Sequence, residues 1–427
     1  MGPAAFSLFA DPSLNFEALL ALGSAGYGSS EVGEVITAVT EATVAGPSYQ
    51  TYADACQRMG DVVAEHAAMA LRRGHRTTAA WAFLRASEYY AQVLYFVLGT
   101  DAPQREPAIF DTTRQYWESA GRLLEPRIKR VDIPYEGTTI PGYWVSPDSS
   151  DTRRPTVILN NGSDAQAVEI WPFGVAAAVQ RGYNALTFEG PGQGAMLFER
   201  DIPFRHDWEQ VITPVVDWLL RRRDVDPDRI ALTGWSMGGE LVIRAAAFEH
   251  RLAAVVSDPG TIDVWAPYEA DLGPIADAGP KAVVNKKWRE DVVPNLPSPV
   301  QFILKKRFEI FTKEAHRSAI AGHLPEDFFD VARAIKRFRI TNDIAGRVRA
   351  PVLVTNYEGD TFFPGQAEEL HQMLRTQNEL VTFTAAEGAQ YHCAPMAPQR
   401  RNEVIYDWLD ETLGWRGGRR GDSQLRP

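Results

Sequence analysis

From residue 156 onward, short apolar runs of strand length alternate with stretches of helical period. The runs are "TVILNNG", "YNALTFEG", "DRIALTGWS", "LAAVVSDPG", "APVLVTNYEGD" and "ELVTFTA". Between and after them lie "AVEIWPFGVAAAVQRGY", "DWEQVITPVVDWLLRRRDV", "GGELVIRAAAFEH", "PGQAEELHQMLRT" and "PQRRNEVIYDWLDETLG". A strand that is apolar without alternation is buried on both faces, and two parallel neighbours need a crossover, usually a helix. The pattern predicts an α/β fold built on a mostly parallel, doubly wound sheet. Just before it, "IKRVDIPYEGTTIPGYWVSP" alternates apolar and polar residues around "EGTT" and predicts a β-hairpin.

Three segments stand outside that rhythm. Residues 1–126 read as a helical cap region, with "YADACQRMGDVVAEHAAMALRRG" and "TTAAWAFLRASEYYAQVLYFVLG" each ending at Gly. Its aromatic stripe, including Trp81, Phe83, Tyr89, Tyr90, Tyr95 and Phe96, reads as helix-packing core; the alternative is a pocket wall. Within the sheet domain, 127–415, about 260–345 carries no strand pattern. "SPVQFILKKRFEIFTKEAHRSAIAG" and "EDFFDVARAIKRF" look helical there. An insertion after a sheet strand sits over the carboxyl ends of the strands, as a lid would. Residues 416–427, with "RGGRRG", read as a disordered basic tail.

Composition narrows the class of partner. The 427 residues carry a formal charge of −11, and the cations form no stripe, which argues against nucleic acid or an anionic membrane. The apolar run at 91–99 is too short to span a bilayer. The first residues do not read as a signal peptide. Cys56 and Cys393 make neither a disulfide framework nor a zinc site. The expectation is a cytoplasmic protein with a small-molecule substrate; a homodimer is compatible with it. No metal motif is present, and "EGPGQG" fails both phosphate-loop patterns, so no cofactor is expected. That segment reads as a tight loop beside the active site.

The chemistry centres on Gly234-Trp235-Ser236-Met237-Gly238, which follows a strand and opens a helix. A serine before a helix is often only a cap. Here the strand–turn–helix setting favours a nucleophile held up at the sheet edge by a strained turn. A serine hydroxyl needs a base. Of eight histidines, His392 alone directly follows the last strand. The acid that orients it is expected after the preceding strand, at Asp360 in "EGDTFFP"; Glu358 and Asp258 are rivals. Two backbone N–H groups have to receive the oxyanion. Met237 supplies one, and Ser163 or its neighbour in "NNGSD" the other. Asp164 in that loop reads as the next helix's cap.

Together "NNGSDA", "FEGPGQG", "GWSMGG", "EGDTFFPGQ" and "EGAQYHC" resemble an α/β-hydrolase over about residues 127–415. More narrowly they resemble the group with a helical N-terminal region. It includes 2,6-dihydroxypseudooxynicotine hydrolase and fungal hydrolases that shorten polyketide chains in pigment pathways. The resemblance implies an α/β-hydrolase fold, a Ser236–Asp360–His392 triad and cleavage of a carbon–carbon bond beside a ketone. The substrate would have an aromatic or polyketide-like body. It also implies an extra acid after the nucleophile, for which Glu269 is the nearest candidate. The alternatives are a carboxylesterase or a non-hydrolytic enzyme of the same fold, making rather than breaking bonds in secondary metabolism.

Overall fold

A computed structural model describes residues 6–416. The basic-tail expectation lies, apart from its first residue, outside the described residues.

Eight strands form one sheet. They are β1 (Ile128–Tyr135), β2 (Thr138–Val145), β3 (Arg154–Asn160), β4 (Asn184–Phe188), β5 (Val225–Trp235), β6 (Ala254–Asp258), β7 (Val352–Tyr357) and β8 (Asn378–Phe383). The order is β1-β2-β4-β3-β5-β6-β7-β8. β1, β2 and β4 pair antiparallel, and every other neighbouring pair is parallel. β4 and β6 are buried along their whole length, and β3 from Pro155 on, as unbroken apolar runs require. β8 closes the edge and is mostly half-exposed, which explains its Thr and Glu content. The result is an α/β-hydrolase fold: a mostly parallel sheet preceded by a helical N-terminal region.

One expected helix is broken. "AVEIWPFGVAAAVQRGY" forms Ala167–Ile170 and Ala176–Gln180 around a turn with non-helical backbone at Phe173 and Gly174. Pro172 has no N–H to continue the ladder. The carbonyls freed there accept from Asn402 (2.8 Å to Pro172), Arg401 (2.7 Å to Phe173) and Tyr406 (2.8 Å to Gly174), all on the closing helix Pro398–Thr412. The long helical reading across 298–322 also divides. Thr312 accepts from the Ala315 N–H and starts a new helix, Lys313–Ile320, after Ser298–Phe308.

The N-terminal region contains α1 (Pro12–Ser24), α2 (Val32–Val44), α3 (Tyr49–Arg72), α4 (Arg76–Phe96) and α5 (Glu106–Leu123). Its aromatics pack mainly with each other, as at Phe9–Tyr52 and Tyr52–Phe96. Residues 259–351, between β6 and β7, hold helices and one isolated bridge, Asp263–Arg339. The two regions meet. Phe302 of the insertion packs on Tyr49 with centroids 4.2 Å apart, and Lys305 donates to the Leu98 carbonyl at 2.6 Å.

Beneath that contact lies a buried polar cluster. Lys306 stands 2.7 Å from Glu309 and 3.7 Å from Glu106 at the start of α5; all three are about 1% exposed or less. Burial, then the neighbouring Glu309, pushes the Glu106 carboxyl well above its usual range. Removing one partner of a buried pair leaves an uncompensated ion. Lys306→Met should lower unfolding free energy by about 3–5 kcal/mol in urea titrations. Glu106→Gln should lower it less, because Glu106 stands 3.7 Å from Lys306 and Glu309 only 2.7 Å.

Candidate active site

β5 ends at Trp235, and the helix Gly238–Ala246 starts three residues later. The turn between them puts Ser236 at φ +59°, a left-handed conformation that costs a non-glycine residue free energy. It is held by the Ser236 N–H donating to the Asp258 carbonyl at 2.7 Å, across to β6. Gly234 is needed because a Cβ there would lie 2.0 Å from the Gly238 carbonyl oxygen. The helix therefore passes against the strand that launches it.

His392, in the loop after β8, reaches this turn. Its Nε2 is 2.9 Å from Ser236 Oγ, and its Nδ1 is 2.9 Å from Asp360 Oδ2. The His392 and Asp360 side chains are 5% and 4% exposed. Asp360 Oδ1 accepts from the backbone N–H of Phe362 at 2.7 Å and of Phe363 at 3.3 Å. Burial disfavours its charge, but His392 and those two N–H groups outweigh burial and hold the carboxyl below the usual range. Phe362, with its ring 4.6 Å from the imidazole, covers the pair from solvent.

The rival acids are elsewhere. Asp258 is fully buried and is taken by Arg401, Thr355 Oγ1 and Tyr357 Oη. Glu358 is exposed and accepts from the Ala385 N–H at 2.7 Å. Glu269 requires a correction. It lies on the outer side of the helix Ala266–Ala276, exposed, and accepts from Trp265 Nε1. Its neighbours Pro267 and Tyr268 line the cavity and Glu269 does not, because successive helical residues point about 100° apart.

The loop after β3 lies against Ser236. A Cβ on Gly162 would sit 2.6 Å from the Trp235 carbonyl oxygen, 2.9 Å from Ser236 Cβ and 3.2 Å from Met237 N. The backbone N–H groups of Met237 and Ser163 donate to no group among the described residues. Gln193 of the "EGPGQG" loop fixes this segment by donating to the carbonyls of Asn161 (2.8 Å) and Gly162 (2.9 Å). The Ser163 hydroxyl donates to Asp164 and accepts from Arg307 at 3.1 Å. Asp164 is ion-paired with Arg307 and does not cap the next helix; Gln166 does that.

Above Ser236 is a cavity of about 510 Å³, with far more apolar than polar wall. Phe16, Leu19 and Tyr95 come from the N-terminal helices, and Tyr268, Arg307 and Phe311 from the insertion. A smaller recess of about 50 Å³ adjoins it, bounded by Gly162, Ser163, Ser236, Arg307, His392 and Glu17. Sequence reasoning missed Glu17, Arg307 and Phe16. Nothing local marks them, because the fold alone brings residues 16 and 17 to the loop at 392. Among the described residues no His, Cys, Asp and Glu cluster could hold a metal, and no helix is long and apolar enough to cross a membrane.

A model of the alpha/beta hydrolase family matches residues 157–404. The chain is 30% identical to "Hydrolase ORFZ" of Pyricularia oryzae, covering 94% of this chain and 96% of that one. It is 26% identical to the 20-hydroxy-prefusarin hydrolase FUS2 of Gibberella moniliformis, covering 95% and 98%. The solved structure of 2,6-dihydroxy-pseudo-oxynicotine hydrolase superposes with a TM-score of 0.66 at 20% identity, over 92% of this chain and 95% of that one.

The crowding at Gly162 yields a test. Gly162→Ala should push the Ser236 turn aside while leaving the fold intact. Labelling of Ser236 by a fluorophosphonate should slow about 100-fold, the scale expected for a misplacement near 1 Å, with an unchanged far-UV circular dichroism spectrum.

Proposed function

The chain belongs to the alpha/beta hydrolase family, and on that premise we propose that it is a serine hydrolase cleaving a carbon–carbon bond beside a ketone. The observation that carries this reading is the aligned relay from Asp360 through His392 to Ser236 beneath a largely apolar cavity. His392 Nε2 takes the Ser236 proton as Oγ attacks the carbonyl carbon. Asp360 keeps the imidazole in the tautomer that presents a lone pair to Oγ and stabilises the imidazolium. The N–H groups of Met237 and Ser163 receive the oxyanion. When the bond breaks, His392 returns the proton to the departing carbon. Water then enters through the same base and frees the acid.

The carbon–carbon preference is supported by the likeness to 2,6-dihydroxy-pseudo-oxynicotine hydrolase and to the 20-hydroxy-prefusarin hydrolase. The substrate body is aromatic or polyketide-like, matching rings such as Phe16, Tyr95, Tyr268 and Phe311 around the cavity.

The reading is tested by turnover of β-diketones, aryl ketones and p-nitrophenyl esters, with products identified by mass. Diketones should give one acid and one ketone. Hydrolysis of esters alone would leave a carboxylesterase. Ser236→Ala should reduce turnover at least about 10³-fold with the fold kept. Asp360→Asn should cost roughly 10⁴ in kcat through the wrong tautomer. Asp258→Asn should act on stability, read as a lowered Tm, because it strips a buried arginine of its counter-ion.

A further inference from the structure

Glu17 is a carboxyl on the wall of the small recess, which Glu169, Asp164 and Arg307 also line, and the triad chemistry does not use it. It projects from α1, is 6% exposed, and bounds the small recess beside Gly162, Ser163, Ser236 and His392. No group among the described residues hydrogen-bonds or ion-pairs with its carboxyl. A buried polar group without a partner is costly, and one that shares a recess with Ser236 can be paired by an oxygen function that enters it.

The recess has room for a few waters or one small oxygen function, and not for a ring or chain. It shares Gly162, Ser163 and Ser236 with the loop that would receive the oxyanion. Two carbonyls separated by a single carbon carry their oxygens in neighbouring positions. One oxygen can therefore face the N–H groups of Met237 and Ser163 while the other enters the recess. The geometry points to Glu17 as a substrate-binding carboxylic acid that donates its O–H to the second carbonyl oxygen of a 1,3-dicarbonyl substrate. The inference rests on the carbon–carbon reading above and supplies its substrate class.

The surroundings keep the donor proton in place. Burial, then the neighbouring Glu169, raises the Glu17 carboxyl to about 8, against the pull of Arg307 and Lys306. Glu88 and Tyr52 on the adjoining helices and Tyr95 also face it electrostatically. At neutral pH it is therefore mostly a neutral donor, an arrangement suited to an oxygen that gains charge.

The step balances. Ser236 Oγ bonds to C1 and passes its proton to His392. The C1–C2 bond breaks, and its electron pair becomes the C2=C3 bond as the C3 carbonyl pair moves onto oxygen. Glu17 holds that enolate oxygen by its O–H and keeps its own proton. His392 delivers its proton to C2, giving the ketone. Water, deprotonated by His392, displaces Ser236 from the acyl group. The sum is diketone plus water to carboxylic acid plus ketone.

The test separates binding from turnover. In a Ser236→Ala background, calorimetric titration compares 2,2-dimethyl-1-phenyl-1,3-butanedione, which cannot ionise at C2, with 2,2-dimethyl-1-phenyl-1-butanone. The dione should bind more tightly at pH 6.5. Adding Glu17→Met, checked for an unchanged melting temperature or a higher one, should erase most of that preference, about 10-fold or more. Glu17→Gln, which keeps an N–H donor, should retain most of it. The preference should weaken as pH rises through about 8, where Glu17 loses its proton, and Glu17→Gln should remove that dependence. A preference indifferent to Glu17→Met, or a pH dependence that survives Glu17→Gln, overturns the assignment. Turnover by the unaltered protein reports separately. Cleavage of the dione with no role for Glu17 in binding leaves the function standing and removes the subsite. Glu17-dependent binding without cleavage of any ketone keeps the subsite and removes the carbon–carbon reading.

Discussion

Asp258, at the end of β6, is the residue on which the site hangs. Its carbonyl accepts the Ser236 N–H and lies 3.6 Å from Cys393 Sγ, so one peptide group touches both the Ser236 turn and the His392 loop. Its carboxylate takes Arg401, Thr355 and Tyr357. Arg401 in turn donates to the Phe173 carbonyl in the broken helix after β3. A buried ion pair contributes little net stability against an apolar replacement, yet breaking it is expensive. Here it serves as a clamp between segments that are far apart in the chain. The left-handed backbone at Ser236 persists because the surroundings over-determine it.

The parallel sheet, the hairpin before it and the two helical regions were legible because each is written in a period: continuous runs, alternation, or helical spacing. That Ser236, His392 and Asp360 would come together was legible for a related reason. In a doubly wound sheet the useful positions are strand ends, and strand ends can be located in a sequence. The break at Pro172 to Gly174 was not, since what sustains it is a set of side chains more than two hundred residues away. Glu269 shows the other failure. Its distance along the chain from Ser236 put it near the right place, but one helical step decides between cavity and solvent, as Tyr268 and Glu269 illustrate. Glu17 and Arg307 carried no local signal at all.

The helix Ser298–Phe308 places two adjacent cations on opposite duties. Lys306 is sunk among Glu106, Glu309 and the base of α5, while Arg307 reaches the cavity and is held by Asp164. Neither is a free charge. Several carboxyls nearby, at Glu17, Glu88 and Glu169, are pushed upward chiefly by burial.

The cover of the cavity is drawn from opposite ends of the chain. Phe16 lies 6.3 Å from the His392 ring and 5.4 Å from Phe362, centroid to centroid. During synthesis α3, α4 and α5 can pack against one another as soon as they emerge, because their contacts are local. The cavity-facing side of α1 has no such partner until the histidine loop has left the ribosome. Non-local closures of this kind are slow, and apolar surface awaiting them is exposed to misassociation. The pocket is thus a late event in the life of each molecule: α1 can rest early on α2 and α4, but the wall it offers through Phe16 is completed only when the His392 loop arrives.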